Sequence, residues 1–302
     1  MNNKIDDLKK IYDDIEIPEN LDEAVNSALR KGEGKMKKGN RRWLKGSGIA
    51  AAIIIAATIG INTMPVFANT LISVPGVGRL VKILQFNNGE GNGGKVTDGA
   101  DVNLIRIKSY KNSESILINF AKNEKAATIS PSYKVEYNTN PYTLTFTISG
   151  ARKLNAESYF EDLKKSKYIS DVYKLMTLDD SMVRFTVVLK EPVKYEVKEY
   201  KEPAYLEVNL KEDNAKDETM YSIRTASQPF GEGIGQVEEI LYNEKGIRML
   251  KDSKGTFCME TGIYKSYEEA ENKLKEFKEK YGAQLNLSIE ERKGTDIPKP
   301  LD

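Results

Sequence analysis

An apolar run of thirteen residues, 49–61, interrupts an otherwise polar chain, and its two flanks differ sharply in charge. Between Arg30 and Lys45 stand eight Lys or Arg residues and one acid, Glu33, whereas beyond the run the next basic residue is Arg79. Positive charge is retained on the cytoplasmic side of a membrane, so an apolar helix with a one-sided basic flank has a defined orientation. The run is shorter than the roughly 20 residues that span a bilayer. Extension to Gly46–Ala68 reaches spanning length and takes in Asn62, Thr63 and Pro65. A buried soluble helix does not account for the charge asymmetry. A cleaved signal peptide has the right core length, and Val66-Phe67-Ala68 fits a signal-peptidase site, but the 45 residues before the segment are long for its leading region. A signal anchor with its N-terminus inside fits best, and later cleavage after Ala68, at the site formed by Val66 and Ala68, stays open as a regulated step.

Composition narrows the chemistry. The 302 residues are 30% charged and 39% hydrophobic, enough for two or three small domains that are mostly water-soluble. A net charge of +1 gives no global attraction to nucleic acid, and the basic cluster beside the apolar run suits a membrane surface. Histidine is absent, which excludes His-based triads and His metal ligands. The single cysteine, Cys258, excludes an internal disulfide and leaves the compartment open.

Before the basic stretch, Ile5, Leu8, Tyr12 and Ile15 recur at helical spacing, and after Pro18 so do Leu21, Val25, Ala28 and Leu29. Helices this short are marginal alone in water, so each stripe needs a partner. The residues admit a tail, a helix on the membrane, or a docking arm on a cytoplasmic protein.

Residues 17–30, the basic stretch, the apolar segment and the run from Pro65 to Phe86 together resemble the N-terminal part of membrane-anchored anti-sigma factors of Gram-positive bacteria, of the sigma-V type. That resemblance covers residues 5 to 86. It implies that the arm holds an extracytoplasmic-function sigma factor, with Leu8, Tyr12, Ile15, Leu21, Val25 and Leu29 as docking residues. It also implies that signal-peptidase cleavage beyond the membrane helps release the sigma factor. The family's lysozyme-binding outer domain is not recognisable downstream, so the inducing signal does not carry over.

Past a Gly/Asn-rich linker at 87–94, the chain reads as β-rich. Tyr133 to Ile148 and Tyr195 to Leu210 form an internal repeat at an offset of 62 residues, each copy a strand, a Pro turn and a strand of period two. Between the copies, residues 155–167 read as a helix with Phe160 and Leu163 inward. Two similar halves predict a small pseudo-symmetric β-sandwich. The block, above all residues 168–210, is similar to AMIN domains of cell-wall amidases and secretion proteins, which implies attachment to peptidoglycan or other envelope components. An unrelated β-sandwich spacer is the competing reading.

Residues 219–293 predict the order βαββαβ: a strand from Met220, a helix over 235–245 with Val237, Ile240 and Leu241 inward, two strands joined by a turn at 252–255, a helix capped by Ser266 and ended by Gly282, and a last strand. This stretch resembles SPOR domains, which bind peptide-free glycan strands through the open face of the sheet. Alternation places Ser222, Arg224 and Glu260 on that face, so the resemblance makes them glycan-binding candidates. Arg224 and Glu260 also stand where they can pair across adjacent strands.

The expected fold class is therefore α+β and multi-domain: a single transmembrane helix, then a β-sandwich-like domain and a ferredoxin-like βαββαβ domain. The expected divisions are a cytoplasmic arm (1–45), the anchor (46–68), a juxtamembrane segment and linker (69–100), an AMIN-like domain (101–213), a SPOR-like domain (219–293) and a tail (294–302). Asp179-Asp180 reads as a hairpin turn, Glu268-Glu269 as a helix start, and the glycines at 231, 233 and 235 as a βα connection without phosphate-loop spacing. Cys258 reads as a small packing residue. No catalytic, metal or cofactor residues are assigned, and an enzyme is not expected. The expected function is a single-pass membrane anti-sigma-factor-like regulator, its N-terminus cytoplasmic and its bulk outside, with a sigma factor, peptidoglycan glycan strands and the membrane as partners, and no nucleic acid. The alternative is a non-regulatory, membrane-anchored peptidoglycan-binding protein.

Overall fold

Period-two alternation dominates beyond residue 100, and strands are what form there. The computed structural model describes residues 79–86 and 90–301, and these fall in one compact unit, Ala68–Asp302. The docking-arm residues, the anchor and the pair Val66 and Ala68 lie outside the described residues. Among the described residues no helix is long and apolar enough to cross a membrane.

The described chain is mostly β. Strands β1 (Arg79–Phe86), β2 (Glu90–Gly93), β3 (Ala100–Ser109), β4 (Glu114–Lys122), β5 (Lys125–Ala126), β6 (Ser132–Asn138), β7 (Thr143–Ser149), β8 (Ala151–Leu154), β9 (Ile169–Lys174), β10 (Met182–Leu189), β11 (Val193–Lys201) and β12 (Tyr205–Glu212) form two sheets. One has the order β1-β11-β12-β4-β3-β8, with β5 beside β4, and the other the order β2-β6-β7-β10-β9. Their inner faces share one apolar core, in which Phe146 stacks on Phe185 at 4.7 Å between centroids and Phe160 leans on Phe185 at 5.8 Å. Phe160 and Leu163 are buried as expected, on a 3-10 turn (Asn155–Tyr159) followed by the single helical turn α1 (Phe160–Leu163) rather than on a long helix.

The repeat is structural as well as sequential. Its copies are the hairpins β6–β7 and β11–β12, one in each sheet. Each turns at a cis proline, Asn140-Pro141 and Glu202-Pro203, and φ is +53° at Asn140 and +55° at Glu202. Contacts between copies are reciprocal. The Tyr133 hydroxyl donates to Glu199 at 3.2 Å, and at the exchanged positions Tyr195 stacks on Tyr137 at 5.9 Å. A contact between i and j′ matched by one between i′ and j is the signature of a two-fold. The halves also exchange partners, since β7 pairs with β10 of the second half and β12 pairs with β4 of the first.

The expected linker region contributes strands. β1 pairs antiparallel with β11, and β2 pairs with β6, at one edge of each sheet. The glycines of β2 obscure its strand pattern, but at Gly93 a Cβ would come within 2.4 Å of the Tyr133 hydroxyl, so close packing explains that glycine.

The last part follows the expected order. Strand β13 (Met220–Thr225), helix α2 (Glu232–Ile240), strands β14 (Arg248–Lys251) and β15 (Phe257–Tyr264), helix α3 (Tyr267–Tyr281) and strand β16 (Leu287–Arg292) give an antiparallel sheet of order β14-β15-β13-β16. Helix α3 starts as predicted: the Ser266 hydroxyl accepts from the Glu269 N–H at 3.2 Å, and the Glu269 carboxylate accepts from the Lys265 N–H. Helix α2 starts three residues before the expected position and leaves Ile240 exposed, while Val237 and Leu241 are buried. A second apolar cluster joins this sheet and its helices to the outer face of β9 and β10 through Tyr173, Leu175 and Val188.

Candidate functional site

The third sheet has one face on its helices and one face opposite, and strand alternation decides what each carries. Ile223, Met249, Phe257 and Met259 join the apolar cluster. Ser222, Arg224, Glu260 and Cys258 alternate with them. An open binding face requires these four to be exposed, and all four are buried. The glycan-binding face expected at Ser222, Arg224 and Glu260 is therefore covered.

Two pieces of chain cover it. The first is the Asn140-Pro141 turn of the first repeat copy. Arg248 donates to the Asn140 carbonyl, and Arg292 does so at 2.7 Å. In return, the Asn140 amide donates to the carbonyls of Glu218 and Arg292 at 3.1 and 3.0 Å. Glu260 stands between the two arginines, 2.5 Å from the Arg248 Nε and also paired with Arg292. Arg292 makes a further pair with Glu290 at 2.7 Å. Burial alone would lower the Arg292 pKa, but Glu260 and Glu290 outweigh it and keep the guanidinium firmly charged. Buried charges of this kind persist only when paired and hydrogen-bonded.

The second cover is the C-terminal tail. Pro298 is buried, and its carbonyl accepts from the Ser253 N–H at 3.1 Å. The Lys299 carbonyl accepts from Arg224 at 2.5 Å, and its N–H donates to Glu290 at 2.7 Å. The Leu301 carbonyl accepts from the Ser227 N–H at 2.6 Å, and its N–H donates to the Ser227 hydroxyl at 3.1 Å. Arg224 is thereby fully engaged, with Glu290 at 3.2 Å and the Ser227 hydroxyl at 2.9 Å as its other side-chain partners. Although Arg224 and Glu260 are register partners on β13 and β15, they do not pair: each finds its own opposite charge.

Further bonds hold the seam between this sheet and the sheet of β9 and β10. Arg184 on β10 pairs with Glu238 of α2 at 2.6 Å, and Asp171 of β9 pairs with Lys251 of β14 and with Lys164 at 3.1 Å. Burial would raise the Asp171 carboxyl, but its bonds to Lys251 and Lys164 hold it below the ordinary carboxylate range. Asp252 in the β14–β15 turn accepts from the N–H groups of Lys254 and Thr256, and its pKa is also lowered: burial opposes, and these bonds with the hydroxyls of Thr256 and Ser227 prevail. Burial pushes the Cys258 thiol up to about 12, where it is no nucleophile at neutral pH. Among the described residues no three His, Cys, Asp or Glu side chains are placed to hold a metal ion. Asp179 accepts from the Ser181 N–H and hydroxyl at 2.8 and 2.6 Å, as a turn residue.

Sequence reasoning did not reveal Arg248, Arg292 and Asn140 as members of this cluster. The one available signal was the spacing of Arg248 and Arg292 on their strands, which places them beside Glu260 only once the sheet order is known.

No family model matches the chain. A stretch of 86 residues, 28% of the chain, is 35% identical to part of the anti-sigma-V factor RsiV of Bacillus subtilis (strain 168), and it spans 29% of that protein's length.

Proposed function

We propose that this chain is a single-pass membrane anti-sigma-factor-like regulator. Its N-terminal arm sequesters an extracytoplasmic-function sigma factor in the cytoplasm, and its β-rich part lies outside the membrane and meets the cell envelope. The observation that carries this reading is the 35% identity over 86 residues to a protein named an anti-sigma factor. It is supported by the order of features along the chain: an amphipathic arm, eight basic residues, an apolar segment and then a folded β-rich unit. Leu8, Tyr12, Ile15, Leu21, Val25 and Leu29 supply the apolar stripe that a sigma factor covers, in the manner of an amphipathic helix laid in a groove.

The test is co-purification. The full chain, extracted in detergent, is mixed with each extracytoplasmic-function sigma factor of the same genome. Retention of one of them, abolished by Leu21→Asp together with Val25→Asp, is the expected result. Retention of none removes the regulatory reading. The alternative, a membrane-anchored peptidoglycan-binding protein, is weakened by the burial of Ser222, Arg224 and Glu260, since a glycan needs that face open.

A further inference from the structure

The tail over the third sheet is held as a peptide ligand is held. Between Pro298 and Leu301, three carbonyls accept and two N–H groups donate, and their partners are Arg224, Ser227, Ser253 and Glu290. Four of the five bonds engage the sheet's side chains or the strand-end residue Ser227, and all five use the tail's main chain rather than its side chains. Main-chain recognition of an extended segment, with one proline buried, is how peptide grooves bind their targets.

The covered face is also imperfectly satisfied. The Ser222 hydroxyl is buried and has no hydrogen-bond partner, and neither has Nε of the buried Arg292. Buried polar groups in a face built only to be sealed are normally paired. Arg292 lies beside the Asn140 turn, so the covered face holds polar groups that its two covers leave unpaired.

We infer that the face carrying Ser222, Arg224 and Glu260 is a peptide-recognition surface, closed in cis by the tail Pro298–Leu301, which acts as a displaceable autoinhibitory strap. The partner in trans is an extended peptide segment that offers carbonyls to Arg224 and to the N–H groups of Ser227 and Ser253. The inference is independent of the sigma-factor reading, and its failure leaves that reading untouched.

Cys258 provides the readout. It is the chain's single cysteine, it is buried on the same face, and its thiol lies within the electrostatic reach of Arg224, Glu260, Arg292 and Glu290. The experiment compares the full-length chain in detergent with the same chain ended after Asp296, which keeps the Lys293–Asp296 turn and the Tyr142–Gly294 bond. Maleimide labelling of Cys258 is expected to accelerate at least about tenfold on truncation, because opening no longer has to displace the strap. A synthetic peptide of residues 296–302 is expected to restore protection to the truncated chain and to bind the full-length chain far more weakly. Labelling within about twofold of the full-length rate overturns the inference, and so does faster labelling that the peptide fails to reverse. Protection restored by peptide-free glycan strands but not by peptide assigns the face to glycan and overturns it as well. Should truncation unfold the chain, hydrogen exchange on the intact protein decides. The N–H groups of Ser227, Ser253 and Leu301 should exchange as one group ahead of Ile223 and Val208, and exchange only with global unfolding refutes the strap.

Discussion

Glu260→Gln removes one carboxylate charge from the most buried ionic cluster among the described residues. Glu260 has no exposed side-chain surface, and its partners Arg248 and Arg292 are 10% and 2% exposed. Breaking a buried pair by removing one partner costs about 3–5 kcal/mol, because the remaining charge is left without compensation. Here Arg292 keeps Glu290 and both arginines keep the Asn140 carbonyl, which places the expected loss at the lower end, about 3 kcal/mol. With an m-value of about 3 kcal/mol per M, near the upper end for urea, the midpoint falls by about 1 M. The assay is urea unfolding of residues 69–302 followed by far-ultraviolet circular dichroism, since the only tryptophan, Trp43, lies outside this fragment. Replacing the whole cluster (Glu260→Met, Arg248→Leu, Arg292→Met) should recover most of the loss, because no uncompensated charge then remains. A midpoint shift below about 0.3 M for Glu260→Gln would refute the claim that this cluster locks the third sheet to the Asn140 turn.

Phe185→Ala, at the centre of the shared core between Phe146 and Phe160, should cost about 3–5 kcal/mol in the same urea assay. Ser266→Ala should cost about 1 kcal/mol through loss of the α3 cap, with Ser266→Asp close to neutral. The Asp171 carboxyl has a folded pKa below its unfolded value, so its contribution is present above the unfolded pKa and is lost as pH falls through the folded one. Stability should therefore decline as pH falls below about 4, and Asp171→Asn should flatten that part of the pH profile. An unchanged acid limb in the variant would count against the Lys164–Asp171–Lys251 bridge.

The element order of the third sheet was readable because every signal agreed there: alternation in β15, the Ser266 cap, the apolar stripe of α3 and the positive-φ Gly282 at its end. The 62-residue repeat was readable for the same reason, because its turn prolines and alternating strands recur in step. The exchange of partners between halves was not readable, since which hairpin edge β7 or β12 joins is a long-range choice that local pattern does not encode. Strand β2 was hidden by a composition that resembles a linker, and β1 fell within the expected juxtamembrane segment. The largest gap concerns Arg224 and Glu260. Charged residues on an alternating strand read as exposed, and only the Asn140 turn, 84 and 120 positions away along the chain, and the nearer tail bury them. Their burial is a tertiary fact: the opposite charges meet within the third sheet, and the Asn140 turn and the tail close over them.

The central claim is regulatory, and transcription in the living cell tests it most directly. Deleting the gene should raise transcripts from the promoters of one extracytoplasmic-function sigma factor. Restoring the full chain should silence them, and restoring a chain with Leu21→Asp and Val25→Asp should not. Unchanged transcripts on deletion, or equal silencing by the variant arm, would contradict the account.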